Sequence, residues 1–339
     1  MRLSILDQSP IIRGSDARRA LEETLALARR ADELGYYRYW LAEHHAIAAL
    51  ADPCPEVLLA RLGAETKKLR IGSGGVLLPY YSAFRTAESF RMLEALYPGR
   101  VDLGIGRAPG GDARTAHAVA GGGFPDASHF PAQVQELVAH LDGTLPRGHP
   151  FHGVRVQPEV DTAPEVWLLG SSDYSAMLAA ELGLPFSFAH FINPHGGDAV
   201  AQAYRSRFKA GREAAPRVAV CTFAVCAESD QEAERLAAPV DLRRLRMALN
   251  IDSPFPSDEE AAAHRYSAEE RSYVMGQRAR AILGSPATCR REIEAMAARY
   301  GADEVMVLTI TGAYETRVRS YELLMQEFGD GALTPATRS

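Results

Sequence analysis

Cysteine is scarce in this 339-residue chain. The four cysteines, Cys54, Cys221, Cys226 and Cys289, follow no repeated spacing. That scatter excludes a disulfide framework and the paired spacing of a structural zinc site. Cys221 and Cys226, five apart on an expected strand, project to opposite faces and make a poor metal pair. A reduced, cytoplasmic protein is the simplest reading. Also missing is any run of roughly 20 apolar residues, so no membrane-spanning helix is expected. The opening residues, Met1-Arg2-Leu3-Ser4-Ile5-Leu6-Asp7, carry one basic group and an apolar run cut short at Asp7, unlike a secretory signal. Nor is there a basic excess. The 37 Lys and Arg against 43 Asp and Glu give a formal charge of −6, which offers nucleic acid no electrostatic footprint.

What is present is a rhythm. "LSILDQSP" reads as a strand, and Ala17, Ala20, Leu21, Thr24, Leu25, Ala28, Ala31 and Leu34 then recur at helical spacing, with Ser15-Asp16 as candidate N-caps and Gly35 as C-cap. The pattern repeats through "YRYWLAE", "LRIGSGGVLL", "RVDLGIG", "EVWLLG", "PFSFAHFI", "RVAVCTFAVCA" and "EVMVLTIT". Eight strand–helix beats predict an α/β fold, a (β/α)8 TIM barrel, with parallel strands. Two stretches break the beat, residues 108–164 after strand four and 228–285 after strand seven, and are read as insertions in one domain spanning 1–339.

Polar residues gather just past the strands, where barrel enzymes build their active sites. The apolar run Tyr39-Trp40-Leu41-Ala42 ends in Glu43-His44-His45. Consecutive side chains diverge, so the two histidines cannot share a metal from one strand, and no H-E-x-x-H is present. One of them is better read as a general acid or base, with Glu43 fixing its tautomer or sharing its proton. A hydrogen-bonded rim residue is the competing role for His45. "GIGRAPG" falls short of a dinucleotide fingerprint, because its third glycine would fall at Pro109. Arg107, directly past strand four, can clamp a phosphate. Gly170-Ser171-Ser172 precedes a helix whose free N–H groups suit an anion, and ordinary capping by Ser172 is compatible with that role. Gly74 and Gly75 interrupt an interior strand at a cost of about 0.5–1 kcal/mol each. A flat ligand near the backbone or a strained peptide would supply the reason, and a β-bulge is the rival explanation.

Together, "LDQSP", "EHH", "GSGGVLLP", "LEALYPGRVDLGIGRAPGGD", "LGSSDYSAMLAAELG" and "GADEVMVLT" resemble, in order and spacing, the bacterial luciferase-like family of flavin-dependent monooxygenases. The likeness is to single-chain, luciferase-like oxidoreductases. It implies activation of O2 by reduced FMN (FMNH2) and oxygen insertion through a C4a-peroxyflavin. It places the histidine that acts on the flavin–oxygen adduct at His44, with Glu43 beside it, and a non-prolyl cis peptide under the flavin ring at Gly74-Gly75. It places the flavin phosphate on Arg107, Ser172 and Ser175. It also implies a separate flavin reductase, a homodimer, and a mobile lid in residues 228–285. Gln8, His190 and Phe191 are the expected substrate-lining residues. Two positions depart from the luciferase α chain: Gly106 stands where it has a cysteine near the flavin, and His190 replaces a tryptophan. Those departures argue against light emission and long-chain aldehyde oxidation, not against flavin binding. An F420-dependent dehydrogenase or reductase on the same fold, or a flavin-binding protein without catalysis, are the alternatives.

Overall fold

The structure, a computed structural model, describes residues 1–107, 112–123 and 126–329. Alternation along the strands sorts side chains between the barrel interior and the helical shell. In β1 (Arg2–Asp7), Leu3 and Ile5 join the large outer core while Leu6 faces inward. In β2 (Arg38–Leu41), Tyr39 and Leu41 point outward and Trp40 inward. α1 (Ala17–Leu34) follows β1 and is bounded as its sequence requires. Asp16 accepts a hydrogen bond from the Arg19 N–H at 2.8 Å, and Gly35 closes the helix at φ 86°.

α2 (Pro55–Glu65), β3 (Arg70–Leu77), α3 (Ala83–Leu96) and β4 (Val101–Gly106) continue the alternation. β5 (Glu165–Gly170), α6 (Asp173–Leu182), β6 (Phe186–Ala189), α7 (Gly197–Arg207) and β7 (Val218–Cys226) follow. The expected barrel is there: β1-β2-β3-β4-β5-β6-β7 run in order, and β9 (Glu304–Leu308) closes the ring between β7 and β1, all pairings parallel.

Residues 108–164 contain α4 (Ala113–Val119) and α5 (Phe130–Asp142). The Gly-rich run beyond Arg107, including Pro109, lies outside the described residues. Residues 228–285 hold α8 (Asp230–Ala248), α9 (Asp258–Ala263), α10 (Ala268–Gln277) and a strand the sequence rhythm did not reveal. This β8 (Ala281–Gly284) begins opposite Phe223 on β7, whereas β6 ends opposite Cys221. Its four residues, "AILG", are too short to show a period. The chain between α8 and α9 forms part of the barrel's rim. Phe255 bridges to Ile12, Asp252 accepts from the Ala48 N–H at 3.1 Å, and Glu260 pairs with Arg13 at 2.7 Å. α11 (Pro286–Tyr300) precedes β9 and α12 (Tyr314–Phe328) follows it.

The N-terminal end of the barrel is plugged by charge. Arg38 is fully buried, and its Nη1 donates to Asp102 at 2.7 Å. Its Nε lies 2.8 Å from Glu304, an ion pair without hydrogen-bond alignment, and Glu165 is 3.5 Å away. Asp102 also accepts from Arg70 Nε at 3.0 Å and from the Trp40 indole at 3.0 Å. The Trp167 indole donates to Glu165 at 3.0 Å, and the two tryptophan rings meet edge-to-face at 5.5 Å. A tryptophan layer thus caps the charges and forms the floor of the space above.

Candidate active site

A cavity of about 400 Å³ opens at the C-terminal ends of the strands, lined by residues from β1 through β7 and β9. It brings together Gln8, Glu43, His44, Gly74, Gly75, Gly106, Arg107, Ser171, Ser172, Ser175 and Phe191. Distant parts of the sequence converge here because each lies just past, or at the end of, a parallel strand.

His44 extends from β2 into the cavity, and its buried Nδ1 has no hydrogen-bond partner among the described residues. Burial pushes its pKa down to about 4, opposed by a hydrogen bond to the Ala42 backbone and helped by a smaller contribution from His45. The imidazole is therefore neutral near pH 7.

Glu43, which the resemblance places beside His44, serves His45 instead. Its Oε1 accepts from the Tyr81 hydroxyl at 2.6 Å and pairs with His45 Nε2 at 2.7 Å, and its Oε2 accepts from the Leu77 N–H at 2.9 Å. The carboxylate ties the end of β2 to the end of β3 and orients His45 as a hydrogen-bonded rim residue. Burial raises its pKa against the pull of these donors. Asp52 escaped the sequence reading. Its carbonyl accepts from the His44 N–H at 3.4 Å, and its carboxyl Oδ2 is buried without a partner. Burial, with Asp7, Glu56 and Glu43 nearby, pushes it up to about 7. A lone acid inside "ALADPC" was its only trace in the sequence.

The Gly74–Gly75 peptide is cis, as the resemblance implied. The pairing of β3 with β4 shifts register between Ser73 and Val76, so the rival β-bulge is present too. The reason for glycine is a correction to the ligand argument. A Cβ at Gly74 would stand 2.6 Å from Leu6 Cδ1, and one at Gly75 would stand 2.6 Å from the Gly104 carbonyl oxygen. Protein neighbours alone demand both glycines. Gly106 is different, since among the described residues a Cβ there would come no closer than 3.5 Å, to Leu77 Cδ2.

Across the mouth, Arg107 stacks on the Tyr174 ring at 4.2 Å and makes no ion pair among the described residues. Ser172 occupies the N-cap of α6, yet its hydroxyl makes no capping bond. Ser175, buried in the first turn, packs against Gly170, and the Ser171 carbonyl accepts from Asn193 at 3.0 Å. A guanidinium, two serine hydroxyls and the N–H groups of a helix start thus stand at one end of the cavity, donors of the kind that can hold an anion.

His190 is a correction. β6 sends Ser187 and Ala189 into the cavity, so His190 falls on the outer side with Phe186 and Phe188, and Phe191 returns inward. Strict alternation would have shown this. His190 Nδ1 meets the Tyr300 hydroxyl at 2.9 Å and Nε2 the Ala279 carbonyl at 3.1 Å, and it lines a separate cavity. It fastens the chain entering β8 to the barrel and does not line the candidate site.

A family model described as luciferase-like monooxygenase matches residues 1–304. The uncharacterized protein YwcH of Bacillus subtilis is 44% identical, over 97% of this chain and 99% of its own. An N-acetyl-S-alkylcysteine monooxygenase of the same organism is 36% identical, over 96% and 97% respectively. The crystal structure of apo-MsnO8 superposes with a TM-score of 0.91 at 38% identity, covering 98% of this chain and 99% of that one.

Proposed function

Because the chain belongs to the luciferase-like monooxygenase family, we infer that this cavity binds a flavin and that the protein uses reduced FMN and O2 to place one oxygen atom on a small organic substrate. One observation carries the reading. In a single cavity, His44 Nδ1, the Ser172 hydroxyl and the Arg107 guanidinium all lack a hydrogen-bond or ion-pair partner among the described residues, beside a floor of two glycines. Of these the His44 Nδ1 is buried, and a buried polar group left unpaired is costly, while Arg107 and Ser172 stand exposed at the mouth with their hydrogen-bonding capacity open to an anion.

When bound, the reduced flavin supplies the electrons that activate oxygen. Arg107, Ser172, Ser175 and the first N–H groups of α6 would hold its phosphate. The backbone of Gly74 and Gly75 lines the cavity where its ring would rest, and Leu6, Trp40 and Leu77 would keep water from it. His44, neutral and with one nitrogen free, is the group able to accept or return a proton at the reacting centre. We further propose that FMN arrives already reduced by a separate flavin reductase and that the chain works as a homodimer. The relative named for N-acetyl-S-alkylcysteine makes a thioether the first substrate type to assay.

The test is an anaerobic titration with reduced FMN, then admission of oxygen with a thioether present. Saturable flavin association and an oxygenated product are expected. Replacing His44 with alanine should preserve flavin association while slowing product formation by about 10²–10⁴-fold. A protein that ignores FMN in both redox states ends this reading, and unchanged kinetics in H44A removes His44 from it.

A further inference from the structure

The two sides of the cavity differ in charge. Arg107 and the serines stand past β4 and β5. Four strands away around the ring, directly across, stand β9 and β1. There Leu6 and Met306 line the cavity, and Cys221 on β7, Ile47 past β2 and Phe191 past β6 extend them into one apolar cluster, the far wall. Among the described residues, the ionisable side chains lining the cavity are Glu43, His44, Arg107 and Cys221. Glu43 is taken up by three internal contacts. His44 is held neutral by burial, and burial likewise raises the Cys221 thiol. Residues 108–111 are Ala-Pro-Gly-Gly and hold no ionisable side chain. The far wall therefore has no counter-ion to offer, and a charge placed against it would be desolvated without compensation.

One neutral amide does face this half. Gln8, just past β1, lines the cavity partly buried and makes no hydrogen bond among the described residues. A side-chain amide can donate and accept at once, which suits a carbonyl, amide or hydroxyl.

The geometry points to a substrate whose reacting end is uncharged and apolar, seated against Leu6, Ile47, Phe191 and Met306, with an adjoining amide, carbonyl or hydroxyl read by Gln8. This rests on the functional reading above only in giving the opposite half to the cofactor. Gln8 is the specificity-determining residue, because it is the side-chain amide of this half, where the Ser187 hydroxyl is the other neutral polar group lining the cavity.

The test follows the fluorescence of the chain's two tryptophans, since Trp40 lines the cavity and Trp167 adjoins it. The probes are N-acetyl-S-ethylcysteamine, its two counterparts whose ethyl group ends in a carboxylate or an ammonium, and diethyl sulfide, which lacks the amide. Arg107 would itself attract a carboxylate, so the series is read in R107Q. The neutral amide should bind at least about tenfold more tightly than either charged counterpart. In Q8L it should fall to the affinity of diethyl sulfide, whose own binding stays unchanged. Equal or tighter binding of a charged probe, or no binding by any probe at millimolar concentration, overturns the proposal. An amide preference that survives in Q8L overturns the role of Gln8. A parallel FMN titration of the unmodified chain separates the two readings. Failure of FMN to bind with the probe order intact would reject the flavin assignment and still support this one.

Discussion

The two ends of this barrel treat buried polarity in opposite ways. At the N-terminal end, Arg38, Asp102, Glu165 and Glu304 meet one another across four strands, with Arg70 and two indoles adding contacts. At the C-terminal end, Ser172, Arg107 and Gln8 share a cavity and meet no protein hydrogen-bond or ion-pair partner among the described residues, and the Nδ1 of His44 beside them is unpaired. The plug and the buried Nδ1 of His44 both cost desolvation, whereas Arg107 and Ser172 remain exposed. Only the plug recovers it inside the chain. The difference separates a structural plug from a site that expects a visitor, and it uses the same device at both ends: inward-facing positions on parallel strands.

The largest expected effect lies at the plug. Asp102→Ala removes the hydrogen-bonded partner of Arg38, Arg70 and the Trp40 indole, leaving the buried Arg38 only the poorly aligned Glu304 and the more distant Glu165. A loss of about 3–5 kcal/mol in unfolding free energy is expected, read from denaturant midpoints. A change under about 1 kcal/mol would mean that the plug is not an energetic unit.

Next comes the pH response of His44. Its ordinary pKa of 6.5 is lowered to about 4 by burial. The unfolded chain therefore binds a proton that the folded chain refuses as pH falls from 6.5 to about 4. Stability drops through that window, by at most about 3 kcal/mol for this one group. H44Q should flatten the fall relative to the unmodified chain when both are unfolded in urea at pH 7 and pH 4.5. Parallel pH profiles would show that His44 is solvated or paired after all. Asp52 responds with the other sign. Its pKa is raised from 3.8 to about 7, so its strain grows as pH rises through that range, and D52N should gain most at the alkaline side.

Arg107 sharpens the contrast from the site's side. R107Q should weaken FMN binding by about 10–100-fold, the value of a charge-assisted contact to phosphate. Stability should hardly move, since the side chain is exposed and among the described residues it rests only on the Tyr174 ring. An unchanged FMN affinity would place the phosphate elsewhere.

Much of the upper end was legible in the sequence, and almost none of the lower. Glu43, His44, Gly74, Gly75, Arg107 and the serines announce themselves because titratable or flexible residues interrupt apolar runs at strand ends. Arg38, Asp102, Glu165 and Glu304 sit at strand beginnings, where a charge reads as a strand entering from solvent. Only the closed ring turns those four inward together. β8 was hidden by its length, and the outward turn of His190 was available from β6 alternation but obscured by reading the strand through to Ile192. Glu43 was found, but which histidine it serves was open in the sequence, and the fold hands the carboxylate to His45, Tyr81 and Leu77.

The smallest effect is the sharpest comparison. Ser172 and Ser267 are both N-cap serines, of α6 and α10. Ser267 forms a capping box with Glu270, its hydroxyl accepting from the Glu270 N–H at 3.2 Å. Ser172 makes no such bond. S267A should therefore cost about 1 kcal/mol of stability and leave FMN binding untouched. S172A should cost almost nothing in stability, yet weaken FMN by a few-fold, about 0.5–1.5 kcal/mol for one hydrogen bond. If S172A destabilises the chain as much as S267A does, the hydroxyl is a cap in solution. The free group that links this helix start to a phosphate would then be gone.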